Sequence, residues 1–158
     1  MLLKVAALVL CAGPAMAQSF TAHVASVHDG DTLTVQAGER RMKLHLAEVD
    51  APELRQSYGQ RSRQSLADLC FDKSAQVTLL GRDSRGSIAQ VVCDGVDAGA
   101  DQVQRGMAWV FQRHARTDSP LHFLEDEAQR HREGLWAGEA PAPPWYFRAN
   151  RRNARNTR

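Results

Sequence analysis

Five short segments between residues 20 and 93 are β-prone, and the first three follow one another in a row. This constrains the chain more than any other feature, because each free strand edge invites pairing with another chain. Residues 20–27 and 32–36 flank the turn-like His28-Asp29-Gly30-Asp31. From Arg41 to Val49, Met42, Leu44 and Leu46 alternate with Lys43, His45 and Ala47, a period of two that predicts a half-buried strand. AQVTLLG (75–81) and SIAQVVC (87–93) add two strands, joined by the polar RDSRG. Helices are predicted from 55 to about 71, over 97–107, and from Ser119-Pro120 onward. The third carries Leu121, Leu124, Ala128 and Leu135, with Gly134 where a left-handed stop belongs. Strands with interspersed helices make an α+β domain, and closing the strands into a small barrel would remove their edges. APAPPWYF (140–147) reads as extended chain, with Trp145 packed back onto the domain.

The length of 158 residues suits one domain. Met1 to Ala17 reads as a signal peptide: Lys4, an apolar run from Val5 to Leu10, then Ala15-Met16-Ala17. That run is too short to span a bilayer, and bulky Leu10 before Cys11 argues against a lipid anchor. The expectation is an exported monomer, periplasmic or secreted, with no transmembrane segment, its domain covering 18–147. Cys11 would leave with the signal, so Cys70 and Cys93 remain, and two cysteines in an oxidising compartment are expected to form a disulfide. Two separate buried thiols are the alternative, and further zinc ligands at suitable spacing are lacking. The net charge of +2 is unevenly spread: residues 148–158, RANRRNARNTR, hold five arginines and no acid. Without those and Lys4, 14 basic residues face 18 acidic ones, so charge alone does not make the domain a general nucleic-acid binder. The Arg-rich tail lacks apolar residues and is expected to be disordered.

Candidate chemistry sits at strand ends. Asp31 follows the first turn, and Asp50 and Glu53 follow the third strand across Pro52. Hard cations such as Ca²⁺ take several oxygen ligands, and two aspartates with a backbone carbonyl supply such a core. Pro52 holds Ala51 extended, which would aim its carbonyl at the cation. Glu53, one step further out, could accept a proton from water.

Several stretches together resemble the staphylococcal nuclease-like (thermonuclease) family: VHDGDTLTV, EVDAPE, YGQRS, DSRGSIAQVVCDGVDAGADQVQRGMAWVF, EAQRHREGLW and PPWYFR. They occur in the family's order across residues 20 to 148. The resemblance implies an OB-fold barrel of five strands with three helices, and hydrolysis of DNA and RNA with one Ca²⁺. It places Asp31 and Asp50 at the metal-binding aspartates, Ala51 at the residue lending its carbonyl, and Glu53 at the carboxylate that activates water. The metal would polarise the phosphodiester as a Lewis acid.

Two departures stand out. The family has an arginine five residues before the second metal aspartate, where this chain has His45, and another after the glycine of D-x-x-G-R, where it has Ser87. Each phosphate contact of this kind is worth about 10²- to 10³-fold in rate. Loss of both without replacement implies weak hydrolysis. Lys43 and Arg85 are the nearby cations that could substitute, and His45 could be protonated beside the carboxylates. Neither lysine nor histidine reproduces the arginine fork on phosphate. Two functions therefore remain: an exported Ca²⁺-dependent nuclease, or a non-catalytic OB-fold module binding nucleic acid or a protein partner. His114, His122 and His131 lack a zinc-binding pair, Trp109, Trp136 and Trp145 read as core, and Glu48 reads as an exposed acid at a strand end.

Overall fold

The computed structural model describes residues 18–111, 115–138 and 140–156; the segment read as a signal peptide, with Cys11, and His114 lie outside the described residues. The elements are β1 (Gln18–Val27), β2 (Thr32–Ala37), β3 (Arg40–Leu46), β4 (Val49–Asp50), α1 (Gly59–Cys70), β5 (Ser74–Asp83) and β6 (Gly86–Cys93). They continue with β7 (Val96–Asp97), α2 (Ala98–Gln104), β8 (Trp109–Val110), α3 (Leu121–Arg130), a 3₁₀ turn (Gly134–Ala137) and α4 (Pro144–Asn156).

Antiparallel pairing runs β3-β2-β1-β5-β6, and a parallel pairing of β3 with β6 closes the ring. That closure places Leu44 opposite Ser87, His45 opposite Ile88 and Leu46 opposite Ala89. The result is a five-stranded barrel with four α-helices, an α+β OB-fold, and closure leaves β1, β2, β3, β5 and β6 paired on both sides. Val24, Leu33, Val35, Leu44, Val77 and Ala89 are fully enclosed. Each such aliphatic side chain larger than alanine contributes roughly 1.5–3 kcal/mol by leaving water.

α1 buries Gly59, Ser62, Leu66 and Cys70, a narrow stripe at helical spacing. It starts at Gly59 rather than 55 because Pro52 to Tyr58 form turns, with Tyr58 at φ 66. A disulfide joins Cys70 at its end to Cys93 at the end of β6. Asp97 caps α2 by accepting the Ala100 N–H at 2.9 Å. α3 ends at Arg130, and Gly134 (φ 51) serves a close approach instead: a Cβ there would meet Gly106 O at 2.3 Å. Trp109 meets Trp136 edge-on at 5.6 Å, and Trp145 lies against Phe111 at 5.7 Å.

Three expectations need correction. Residues 144–156 are helical, so neither the extended reading of 140–147 nor the disordered tail holds there, and the proposed boundary at 147/148 falls inside α4. Pro144 at the helix start, followed by arginine and alanine, favours this. His45 is buried at 7% exposure, not on an open strand face, because the turn between β5 and β6 covers it. Glu48 is half-buried at φ 61 and ties loops together, accepting Arg116 N–H at 3.2 Å and Ser119 Oγ–H at 2.7 Å. No helix among the described residues is long and apolar enough to cross a membrane.

Candidate functional site

The turn between β1 and β2 brings the first acids inward. Asp31 N–H donates to Asp29 Oδ1 at 3.1 Å, and Leu46 N–H donates to Asp31 O at 2.8 Å, stitching the turn to β3. Beneath it, Gln102 of α2 donates Nε2 protons to Gly30 O at 2.6 Å and to Ser62 O at 3.0 Å. The turn lies so close to α1 that a Cβ on Gly30 would sit 1.7 Å from Ser62 Oγ. Asp50 comes from β4, which is held by β8 through Val49 opposite Val110 and Asp50 opposite Trp109. The turn after Pro52 positions Glu53: its N–H donates to Gln56 Oε1 at 3.2 Å and its carbonyl accepts Gln56 N–H at 2.7 Å.

These elements enclose a cleft of about 90 Å³ lined by Asp29, Asp31, Thr32, His45, Asp50, Ala51, Pro52, Glu53, Arg85 and Arg148. Two larger hollows, of about 410 and 520 Å³, lie elsewhere. The small cleft is the functional candidate because four acids and two arginines converge in it. Of the residues the sequence singled out, Asp31, Asp50, Ala51, Glu53, His45 and Arg85 come together here. Lys43 does not: it is exposed on β3 and lines no part of the cleft. Ser87 lies in β6 opposite Leu44, likewise outside it.

Asp31 is 6% exposed, accepting Ala51 N–H at Oδ2 (2.9 Å) and Thr32 Oγ–H at Oδ1 (2.8 Å). Burial pushes its carboxyl upward, but interactions with His45, Ala51 and Thr32 outweigh that and hold it below the usual range. Asp29 moves the other way, to about 6, through burial and the charge of Asp31 beside it. Asp50 is also raised, by burial first and by Asp31, against the opposing pull of Arg148 and Arg85.

His45 is committed on both sides of its ring. Nε2 donates to Arg85 O at 3.0 Å, and Nδ1 meets Thr32 Oγ1 at 3.0 Å. A hydroxyl has one proton to give, and Thr32 directs it to Asp31. Asp31, Thr32 and His45 thus form one chain of contacts, with His45 Nδ1 3.9 Å from Asp31 Oδ1. Arg85 rides the tip of the β5–β6 turn, where Asp83 accepts its Nε–H at 3.1 Å and Phe111 lies 5.6 Å from the guanidinium carbon. Its Nη1 stands 3.8 Å from Asp50.

Arg148, which the sequence reading left in a disordered tail, enters the cleft from α4. Nη2 donates to Asp50 Oδ2 at 2.6 Å, and Nη1 donates to Asp50 Oδ1 and Glu53 Oε1, both at 3.0 Å. Hydrogen bonds to Asp50 raise its own basicity further. The local signal that could have found it is Pro144 at the first helical position, which places Trp145 and Arg148 on one face.

Whether a cation suits this cleft turns on the donor set. Among the described residues no group of three His, Cys, Asp or Glu side chains forms a ready cage. What the cleft offers is hard oxygen chemistry from Asp31 and Asp50 with Ala51 beside them, and an excess of buried negative charge that a guanidinium now balances. That set fits a hard divalent ion.

Residues 43–138 match the family described as staphylococcal nuclease homologue. A micrococcal nuclease of Shigella flexneri is 35% identical, covering 96% of this chain and 93% of the relative. An uncharacterized endonuclease of Escherichia coli is 35% identical over 85% of this chain and 89% of its own length. Protein ParB of Escherichia coli is 32% identical over 95% of this chain and 90% of its own.

Proposed function

The chain belongs to the staphylococcal nuclease family, and we propose that it is an exported, Ca²⁺-dependent phosphodiesterase of DNA and RNA with a weakened site. The nuclease names of its relatives support the nuclease-like part of this reading. The observation that supports the cation site and the hydrolytic role is the convergence of Asp31, Asp50, Ala51 and Glu53 in one cleft with arginine beside them.

In this reading Asp31, Asp50 and the Ala51 carbonyl hold the ion, which when bound supplies Lewis-acid polarisation of the phosphodiester. Glu53, half-exposed at the rim with a side chain 37% accessible, takes a proton from water as the water oxygen bonds to phosphorus and the ester P–O bond breaks. The weakness follows from His45 and Ser87. His45 gives one nitrogen to a backbone carbonyl and the other to Thr32, so neither faces a substrate phosphate. Arg85 remains close to Asp50, restrained by Asp83. That same commitment of His45 favours a second reading, a non-catalytic OB-fold module that binds nucleic acid or a protein partner.

The deciding measurement is cleavage of single-stranded DNA and RNA by the purified protein with and without Ca²⁺. Slow Ca²⁺-dependent cleavage that Asp31→Ala abolishes supports the nuclease. A folded protein that binds Ca²⁺ and cuts neither substrate supports the binding module.

A further inference from the structure

We propose that Arg148 is the phosphate-holding arginine that positions 45 and 87 lack, parked on Asp50 and Glu53 until cation binding releases it. This rests on the cation site in the reading above and extends it to a residue far from the strands that build the acids.

The guanidinium forks onto Asp50 through both terminal nitrogens, and one of them also reaches Glu53. One guanidinium therefore engages both groups, assigned to holding the ion and to activating water, with a single positive charge. The arginine fork matches carboxylate and phosphate equally well, so an exchange between them needs no new shape. Asp50, at 1% exposure, is a buried carboxylate that needs a compensating charge, and the Arg148 guanidinium supplies it.

The helix carrying Arg148 is braced where it must be. Pro144 is buried, Trp145 lies 5.7 Å from Phe111, and Gln56 Nε2 donates to Ala142 O, tying the Glu53 turn to the chain entering α4. One turn further on, the Arg148 side chain is 35% exposed, so its end has room to move while its root stays fixed. Arg85 differs, because Asp83 accepts its Nε–H and the Phe111 ring lies beside it. Arg151 and Arg152 continue the positive charge along the exposed part of α4 and suit the phosphates of a strand leaving the cleft.

The test compares the wild type with Arg148→Ala and Arg148→Lys, using two binding measurements that need no turnover. Calorimetry with Ca²⁺ alone should show Arg148→Ala binding about tenfold more tightly, since no guanidinium has to leave and one like charge is gone. A short phosphorothioate oligonucleotide, titrated in saturating Ca²⁺, should bind Arg148→Ala at least about tenfold more weakly, with Arg148→Lys between the two. Thermal melts should show Arg148→Ala losing stability without Ca²⁺ and regaining more of it on adding Ca²⁺ than the wild type gains. Unchanged or weaker Ca²⁺ binding in Arg148→Ala, or no Ca²⁺ uptake by either protein, overturns the parking. Unchanged or tighter oligonucleotide binding overturns the phosphate role. A protein that shows both shifts yet cleaves nothing refutes the nuclease reading and leaves this one standing.

Discussion

Replacing Gln102 tests whether the acidic turn is held from below. Its side chain is fully buried, and Nε2 serves Gly30 O at 2.6 Å, Ser62 O at 3.0 Å and Ser62 Oγ at 3.3 Å. Gln102→Leu keeps the volume and removes the donor. The Ser62 hydroxyl retains Met107 O as acceptor at 2.6 Å, so the main loss is the donor to the Gly30 carbonyl. Stranding a buried carbonyl costs about 1–3 kcal/mol, and the second carbonyl adds to it. Against this, Gln102 Oε1 is itself buried without a hydrogen-bond partner, and leucine removes that burden. The balance is a loss of about 2–3 kcal/mol, or a fall in melting temperature of roughly 3–4 °C for each kcal/mol. Gln102→Glu should cost more, about 4 kcal/mol or above, because it sets a carboxylate against two carbonyls. Urea unfolding followed by tryptophan fluorescence measures both, with the slope unchanged if only the native state is affected. A Gln102→Leu protein within about 0.5 kcal/mol of the wild type would refute the claim that this amide supports the turn.

Titration of the denatured, unreduced mature protein should find no free thiol at Cys70 or Cys93, and reduction should cost about 3 kcal/mol of stability from the loop that the bond closes. Asp29 gives a pH test: its folded carboxyl lies near 6 against an ordinary 3.8, so the native state binds more protons between those values and stability falls as pH rises through about 6. Asp29→Asn keeps the oxygen that accepts Asp31 N–H. It should therefore stabilise the Ca²⁺-free protein by about 1–2 kcal/mol at pH 7.5, below the roughly 3 kcal/mol ceiling of the full shift because water still screens the half-buried group, and very little at pH 3.5. Melts at the two pH values check it, and an equal gain at both would refute the assignment.

What the sequence revealed were features encoded locally. The alternation in β3, the Asp-Gly turn and the proline after Asp50 each carry their signal within a few residues, while the disulfide was read from cysteine count alone. The family resemblance sharpened the small barrel into a five-stranded OB-fold and strengthened the expected roles of Asp31, Asp50, Ala51 and Glu53. Lys43 lies outside the cleft: strand parity says which face a side chain is on, not which part of that face the cleft reaches. His45 shares that parity, yet the β5–β6 turn closes over it alone. Arg148 was missed for another reason. It meets Asp50 across 98 positions, and an arginine-rich stretch with no acid looks like a solvated tail until its anchor on the carboxylates is known. Asp29 drew no role because its shift comes from enclosure beside Asp31, which spacing does not report.

The barrel is sealed by its shortest long-range ladder. Three residue pairs join β3 to β6, whereas eight join β5 to β6 and six join β1 to β5. Of the barrel's ladders this seam has the fewest paired residues, and the far end of β6 is fixed to α1 through Cys93. His45 sits on one lip and the Arg85 carbonyl that receives its proton on the other. The Arg85 side of the cleft is thus joined to the His45 side across the narrowest ladder of the barrel.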